Sequence, residues 1–345
     1  MRENSLRNCG FVKTVLMLLV FIGHSVAFWT GSWFTRDPAI AAAGLGAVKG
    51  ITGSVDIYGF ALVSGYLFAC KLRQGGYAAF GPFLKKKAKR LLVPYLFVMV
   101  IWVAPITGLL MRLDFGELFR KYILCIEPSQ LWFLWMLFDV FAMVWPMRRV
   151  LTDRPKAGWC IALLFYGVGL VGGRLIPNVF CIWTACTYVP FFYIGMRIRG
   201  REEDGGRLIT RTVPWPVWIL AFAALYVWTD FTGAGEGMLW TLLHAGSTFI
   251  LHAVGGVMAW VCLQKLADGI PWRDSRGFGA LMSYSMPMYL FHQQIIYFTI
   301  LALNGRVNPW INAGVNLAAA VLGSFIISAL LMRWKTTRLL LGEAS

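Results

Sequence analysis

FVKTVLMLLVFIGHSVAFW, residues 11–29, sets the class of the whole chain. Coiled as a helix, a run of this length covers roughly the 30 Å hydrocarbon core of a bilayer. Its ionisable side chains are Lys13 near the start and His24 near the end. Arg2, Arg7 and Lys13 lead into it as in a signal peptide, but no small-x-small cleavage site follows and His24 lies inside the run. The stretch therefore reads as a retained first transmembrane helix.

Further apolar runs follow at about 50–70, 91–111, 131–147, 157–173, 179–196, 213–230, 238–264, 279–301 and 311–332. Backbone polar groups must be satisfied internally in lipid, so runs this long cross as helices. Apolar residues make up 58% of the 345 and charged residues 14%, against about 45–50% and 25% in soluble domains. That excludes a water-soluble enzyme and a disordered chain. Ten spans of about 20 residues leave only about 13 per loop or tail. The expectation is an all-α polytopic integral membrane protein with about ten transmembrane helices, forming one domain over residues 1–345.

The chain carries 32 Lys and Arg against 16 Asp and Glu, a net charge of +16. On a soluble protein that balance would raise nucleic acid as a partner; here basic residues collecting in cytoplasmic loops account for it, and no nucleic acid is expected. With the N-terminus inside, 25 basic residues fall on inner segments and 7 on outer ones, alternating at every crossing. The topology read is N-in and C-in, in the inner (cytoplasmic) membrane. Seven cysteines, at 9, 70, 125, 160, 181, 186 and 262, form no CxxC pair. Neither a disulfide framework nor a metal site is expected.

Ionisable groups inside hydrocarbon are expensive and mark candidate sites. Away from span ends these are His24, Asp56, Asp139, His244, His252 and His292. At about 1.5 Å per residue, His24 lies about 6 Å to the outer side of its span's centre, with Asp56 at a similar level. His292 lies within about 3 Å of its own centre, on the outer side. The three would meet if the first, second and ninth spans are neighbours. An imidazole held in hydrocarbon stays uncharged, the form a general base needs, and a carboxylate such as Asp56 would orient its ring. Asp139 sits near mid-depth and His244 nearer the outside, both candidates for substrate contact. Lys13 and His24, eleven residues apart, share one helical face and lie roughly 16 Å apart along it.

The inner loop ends in Lys85-Lys86-Lys87-Ala88-Lys89-Arg90, with Pro94-Tyr95 following. Lys87 and Arg90 share a face at i, i+3. The cluster reads either as topogenic and lipid-binding or as a docking site for a polyanionic small molecule. Gly44-Leu-Gly46-Ala-Val-Lys-Gly50 lacks the spacing and flanking strand of a nucleotide-binding loop and reads as a flexible outer loop. Gly169 and Gly173 read as close helix packing, and GREEDGGR, residues 200–207, as a short solvated turn.

Five motifs in order resemble the bacterial membrane acyltransferase 3 family. Lys13-x10-His24 matches its first-helix Arg-x10-His. FALVSGYLF, with Ser64, Gly65 and Tyr66, matches the Phe-rich run closing in Ser-Gly-Tyr/Phe. Lys87-x-x-Arg90 before Pro94 matches an RxxR-type motif, LWFL at 131–134 matches a Leu-Trp-Phe-Leu signature, and Ser285, Tyr289 and His292 match Ser-x-x-x-Tyr-x-x-His. The chain differs in having lysine at 13 and 87, which keeps charge but loses bidentate phosphate geometry. It also lacks the acidic pair that many members carry after Trp132, where Asp139 comes next, and no fused extracellular esterase-like domain is expected.

The resemblance implies O-acylation, usually O-acetylation, of a cell-surface glycan or lipid-linked saccharide, with acyl-CoA (acetyl-CoA above all) as donor. Lys13, Lys87 and Arg90 would hold the CoA phosphates. His24 would be the general base, an acyl-histidine intermediate being the mechanistic alternative. Tyr289, His292 and Trp132 are candidate oxyanion donors. A sugar or lipid transporter or flippase, relaying protons through the buried His and Asp, is the reading from another class; it leaves the basic mouth joined to Lys13-x10-His24 unexplained.

Overall fold

The computed structural model describes residues 2–31, 38–42, 44–203, 209–271 and 275–343. The described residues are 86% helical and include no strand. Ten long helices can be followed: α1 (Arg2–Val26), α2 (Asp56–Arg73), α3 (Phe80–Val98), α4 (Trp132–Asp153), α5 (Pro155–Leu175), α6 (Ile182–Glu203), α7 (Trp215–Gly233), α8 (Met238–Gly269), α9 (Arg276–Leu303) and α10 (Pro309–Leu331). Among the described residues eight helical stretches are long and apolar enough to cross a membrane, so the protein is an all-α polytopic membrane protein. The two expected runs outside those eight are helical as α7 and α9; α9 carries Ser285, His292, Gln293 and Gln294 among its apolar residues. Of the 200–207 turn, residues 204–207 lie outside the described residues.

By contact the chain divides into two compact units. The first comprises Met1–Val20, Gly50–Arg73 and Phe191–Met282. Its core gathers Phe11, Val12 and Leu16 of α1, Leu62, Val63 and Tyr66 of α2, and Leu251, Trp260 and Leu263 of α8. Here the Ser-Gly-Tyr segment has a physical explanation. A Cβ on Gly65 would come within 1.8 Å of the Phe192 carbonyl oxygen, and one on Gly195 within 1.9 Å of the Leu62 oxygen. Reciprocal glycines thus let α2 and α6 touch backbone to backbone. One residue on, Tyr66 donates its hydroxyl to Glu202 at 2.6 Å, and Arg199 and Arg211 pair with the same carboxylate. A carboxylate this buried needs such partners.

The second expected run is two helices. Leu45–Gly53 precedes a break at Ser54-Val55, and Asp56 opens α2, where its Oδ1 accepts the Ile57 N–H at 2.6 Å. Asp56 is thus buried at a helix N-terminus, whose positive dipole end favours an acidic side chain.

The second unit comprises Phe21–Lys49, Gln74–Pro190 and Ser283–Ser345. In it α3 packs along α4, and α4 along α5. After Val98 the chain makes a π-helical turn, Met99–Val103, before a last helix, Ala104–Met111. Pro105 has no N–H to return to residue 101, which explains why the ladder widens there. The wide turn carries Trp102, whose indole N–H reaches the Phe291 carbonyl oxygen at 3.1 Å. Where α5 meets α6, a Cβ on Gly169 would lie 2.7 Å from Thr187 Cγ2 and one on Gly172 2.4 Å from the Trp183 ring. At Gly173 the nearest approach is an ordinary 3.7 Å. The tight helix contact therefore runs through Gly169 and Gly172, and Gly173 is not needed for it. Outward faces such as Leu163, Leu164 and Val171 of α5 are exposed apolar surface, suited to lipid.

Candidate functional site

The second unit brings two histidines together. His24, in the last turn of α1, places Nδ1 2.7 Å from Nε2 of His292 on α9. The rings lie nearly parallel, 14° apart, and Phe21, one turn before His24, also stacks on His292 with centroids 4.2 Å apart. The turn carrying His24 is itself anchored. Buried Asn316 of α10 donates to the Ser25 carbonyl oxygen at 3.0 Å and accepts from Thr299 of α9 at 2.6 Å.

Hydrogen bonding assigns the protons of the pair. His292 Nδ1 lies 2.7 Å from the Tyr289 carbonyl oxygen, which can only accept. Nδ1 of His292 therefore carries its hydrogen, and in a neutral ring Nε2 is the lone pair. His24 Nδ1 must then donate to that lone pair, which leaves the lone pair of His24 on Nε2. The chain reads Tyr289 carbonyl, His292, His24, with basicity presented at a single atom. A hydrogen bond at one ring nitrogen sets which nitrogen of an imidazole carries the proton and fixes the ring's orientation.

Gln130 locks α9 from the other direction. Its Nε2 donates to the Leu290 carbonyl oxygen at 2.9 Å and to Gln294 Oε1 at 2.7 Å, while the Tyr289 hydroxyl donates to the Gln130 carbonyl. Trp102 binds the next carbonyl, Phe291. Three consecutive residues preceding His292 are thus held by Trp102 of the π-helical turn and by Gln130 just before α4. Gln130, Gln294, Trp102 and Phe21 were not singled out from the sequence. The signal available was weak: buried amides, one directly before LWFL and one two residues past His292.

Lys87 and Arg90 diverge. Lys87 is half-buried with its ammonium 3.5 Å from the Phe141 ring centre and 5.2 and 5.6 Å from those of Tyr77 and Phe83. These are cation–π distances. Trp145 closes the group by donating to the Tyr77 carbonyl oxygen, with the Arg148 guanidinium 3.5 Å over its ring centre. Arg90, by contrast, is exposed. Burial pushes the Tyr77 phenol up, with the Arg90 charge pulling the other way. The C-terminal segment packs at this end: a Cβ on Gly342 would come within 2.6 Å of the Arg90 carbonyl oxygen.

The other candidates have separate surroundings. Tyr289 is in the network above. Trp132 packs on Tyr188, with centroids 5.8 Å apart. Asp139 on α4 has Oδ2 buried with no hydrogen-bond partner among the described residues. Asp56, Lys13 and His244 belong to the first unit. Lys13 is half-buried on α1, in one unbroken helix with His24. His244 Nδ1 lies 3.2 Å from the Thr229 carbonyl oxygen and so clips α8 to α7. His252 is stacked 3.9 Å from Tyr58.

A family model described as an acyltransferase domain matches residues 10–333 of the chain. Neither a curated protein nor a solved structure matches it.

Proposed function

The chain belongs to the acyltransferase 3 family and is a membrane acyltransferase, and from that premise we propose that it moves an acyl group, chiefly acetyl, from acyl-CoA to a hydroxyl of a cell-surface glycan or lipid-linked saccharide. The observation that carries this reading is the His24–His292 pair at 2.7 Å, which presents one imidazole lone pair inside a membrane domain.

In the proposed reaction His24 Nε2 takes the proton of the acceptor hydroxyl as its oxygen attacks the thioester carbonyl carbon. The C–O bond forms, the C–S bond breaks, and the CoA thiolate recovers the proton from His24. The products are an O-acyl ester and CoA thiol. While His24 is an imidazolium, its Nδ1–H bond to His292 becomes charge-assisted and stronger. His292 is thus a positioning residue and Trp132 remains a candidate oxyanion donor; the Tyr289 hydroxyl is given to the Gln130 carbonyl oxygen, and Asp56 remains proposed as an orienting carboxylate. Exposed Arg90 is the phosphate ligand best placed for the donor, with Lys87 held beside it by its aromatic cage and Lys13 supplying charge on α1.

The topology proposed with it is ten crossings within one catalytic domain, both termini cytoplasmic, in the inner membrane. The 25-to-7 division of basic residues supports it. Gly342 lying against the Arg90 backbone keeps the C-terminal segment beside the basic end of α3. Trp132, Asp139 and His244 remain proposed acceptor-side contacts.

The test is incubation of the purified full chain with labelled acetyl-CoA. Binding with slow hydrolysis, lost in His24→Ala, is expected. No binding, together with proton-coupled uptake of sugar or lipid into liposomes, would instead make it a transporter.

A further inference from the structure

At the far end of α4 from the Lys87 cage is a cavity of about 580 Å³ whose lining includes Glu127, Arg174, Asn178, Trp183, Thr184 and Thr187. We propose that this cavity is the acceptor subsite and takes a saccharide unit; the assignment rests on the acyltransferase reading above.

The lining has the chemistry a sugar requires. An indole offers a flat face to the C–H side of a pyranose, while amide, hydroxyl and charged side chains meet its hydroxyls. The Trp183 indole N–H is buried with no acceptor among the described residues, a donor for a ligand to satisfy. Asn178 is preset: its Nδ2 donates to Thr184 Oγ1 at 2.7 Å and its Oδ1 accepts the backbone N–H of Trp183 at 2.9 Å. A lipid tail would need an apolar wall, and this lining is mixed.

The segments that bring Glu127 and Asn178 to the lining are built at a conformational cost, at Glu127 and in the residues flanking the two. Cys125, Glu127 and Ser129 on one segment, and Phe180 and Cys181 on the other, all hold positive φ between 50° and 59° without being glycine. Such backbone persists only where surrounding structure over-determines it, and it gathers at functional sites. Here the two segments determine each other: Phe180 N–H donates to the Leu124 carbonyl oxygen at 2.8 Å and Cys181 Sγ to that of Cys125 at 3.4 Å.

Position completes the case. The segment carrying Glu127 runs directly into Gln130, whose side chain binds Leu290 and Gln294 on either side of His292. The cavity wall is therefore tied to the turn of α9 that orients the base. Trp145, by the Lys87 cage, is 13 residues along α4 from Trp132, roughly 20 Å by helical rise. Donor charge and acceptor cavity thus sit toward opposite ends of one helix.

Two variants test this in the full chain in nanodiscs, with acetyl-CoA as donor and envelope glycan extracted from a strain lacking the protein as acceptor. Gly173→Leu adds bulk at a lining position where a Cβ meets only ordinary contact; Trp183→Phe keeps an aromatic face and removes the donor. The glycan concentration at half-maximal rate should rise about tenfold or more in Gly173→Leu and several-fold in Trp183→Phe, with acetyl-CoA affinity unchanged. Unchanged glycan dependence in both would overturn the assignment, as would parallel loss of acetyl-CoA binding, which would make the cavity a structural element. If wild-type protein does not acylate the glycan at all, the proposed function fails and this subsite falls with it.

Discussion

Replacing His292 by phenylalanine isolates what the second histidine contributes. The aromatic ring is kept, so the stack on Phe21 at 4.2 Å can persist, and the Tyr289 carbonyl still has its helical partner. What disappears is the acceptor 2.7 Å from His24 Nδ1. In the transition state that bond is made by a developing imidazolium, and a hydrogen bond to a charged group is worth about 1.5–3 kcal/mol. At 1.36 kcal/mol per factor of ten, kcat should fall about 10- to 150-fold. The KM for acyl-CoA should stay within about twofold, because His292 touches no phosphate ligand. His292→Gln offers a carbonyl oxygen to the same N–H and should recover much of the loss. The assay is transfer of label from acetyl-CoA to extracted envelope glycan by purified protein, with the amount of folded protein normalised by size-exclusion yield. A kcat within twofold of wild type in His292→Phe would refute the orienting role, as would a glutamine variant no better than phenylalanine.

Four further outcomes follow from particular contacts. Gly65→Ala and Gly195→Ala each drive a methyl into a backbone carbonyl and should cost about 1–3 kcal/mol or more of stability, read as a lower midpoint in detergent thermal denaturation; unchanged midpoints would contradict the helix contact. Glu202→Ala removes the carboxylate shared by Tyr66, Arg199 and Arg211; breaking a buried pair costs about 3–5 kcal/mol, so folded yield should collapse, while Glu202→Gln should be milder. Arg90→Gln should raise the acyl-CoA KM roughly fivefold, the modest effect expected of an exposed cation, leaving kcat unchanged; no change in KM would leave the basic cluster a topogenic role alone. Burial pushes the fully buried Cys125 thiol up to about 11, so thiolate is scarce below that pH. Alkylation of Cys125 at pH 8, mapped by mass spectrometry, should be more than about 100-fold slower than for a free thiol and should accelerate with rising pH; labelling at the free-thiol rate would contradict its burial.

Much of the helical architecture was legible because apolar runs and helix length are one-dimensional properties. The pairing of His24 with His292 was partly legible too: depth along each run follows from residue counting, and it set both on the outer side of centre. Lateral neighbours do not follow from counting. Nothing in the sequence shows that Gln130 reaches α9, that a π turn before Pro105 aims Trp102 at Phe291, or that Phe21 stacks on His292. Lys87 shows the same limit, since a lysine in a basic run looks solvated until Phe141, Tyr77 and Phe83 close around it. The glycine reading missed by one residue: Gly169 and Gly173 have the familiar spacing, yet Trp183 needs the space at Gly172. Asp56 reads as a mid-span charge because the break at Ser54-Val55 carries no proline to announce it.

The most direct measurement is the ester-linked acyl content of envelope glycan from a strain deleted for this protein, complemented with wild type or with His24→Ala at matched membrane levels. Deletion should remove a base-labile acyl group, wild type should restore it, and His24→Ala should leave it at the deletion level. Full restoration by His24→Ala would contradict the assignment of the base, and no ester change on deletion would contradict the glycan O-acyltransferase reading.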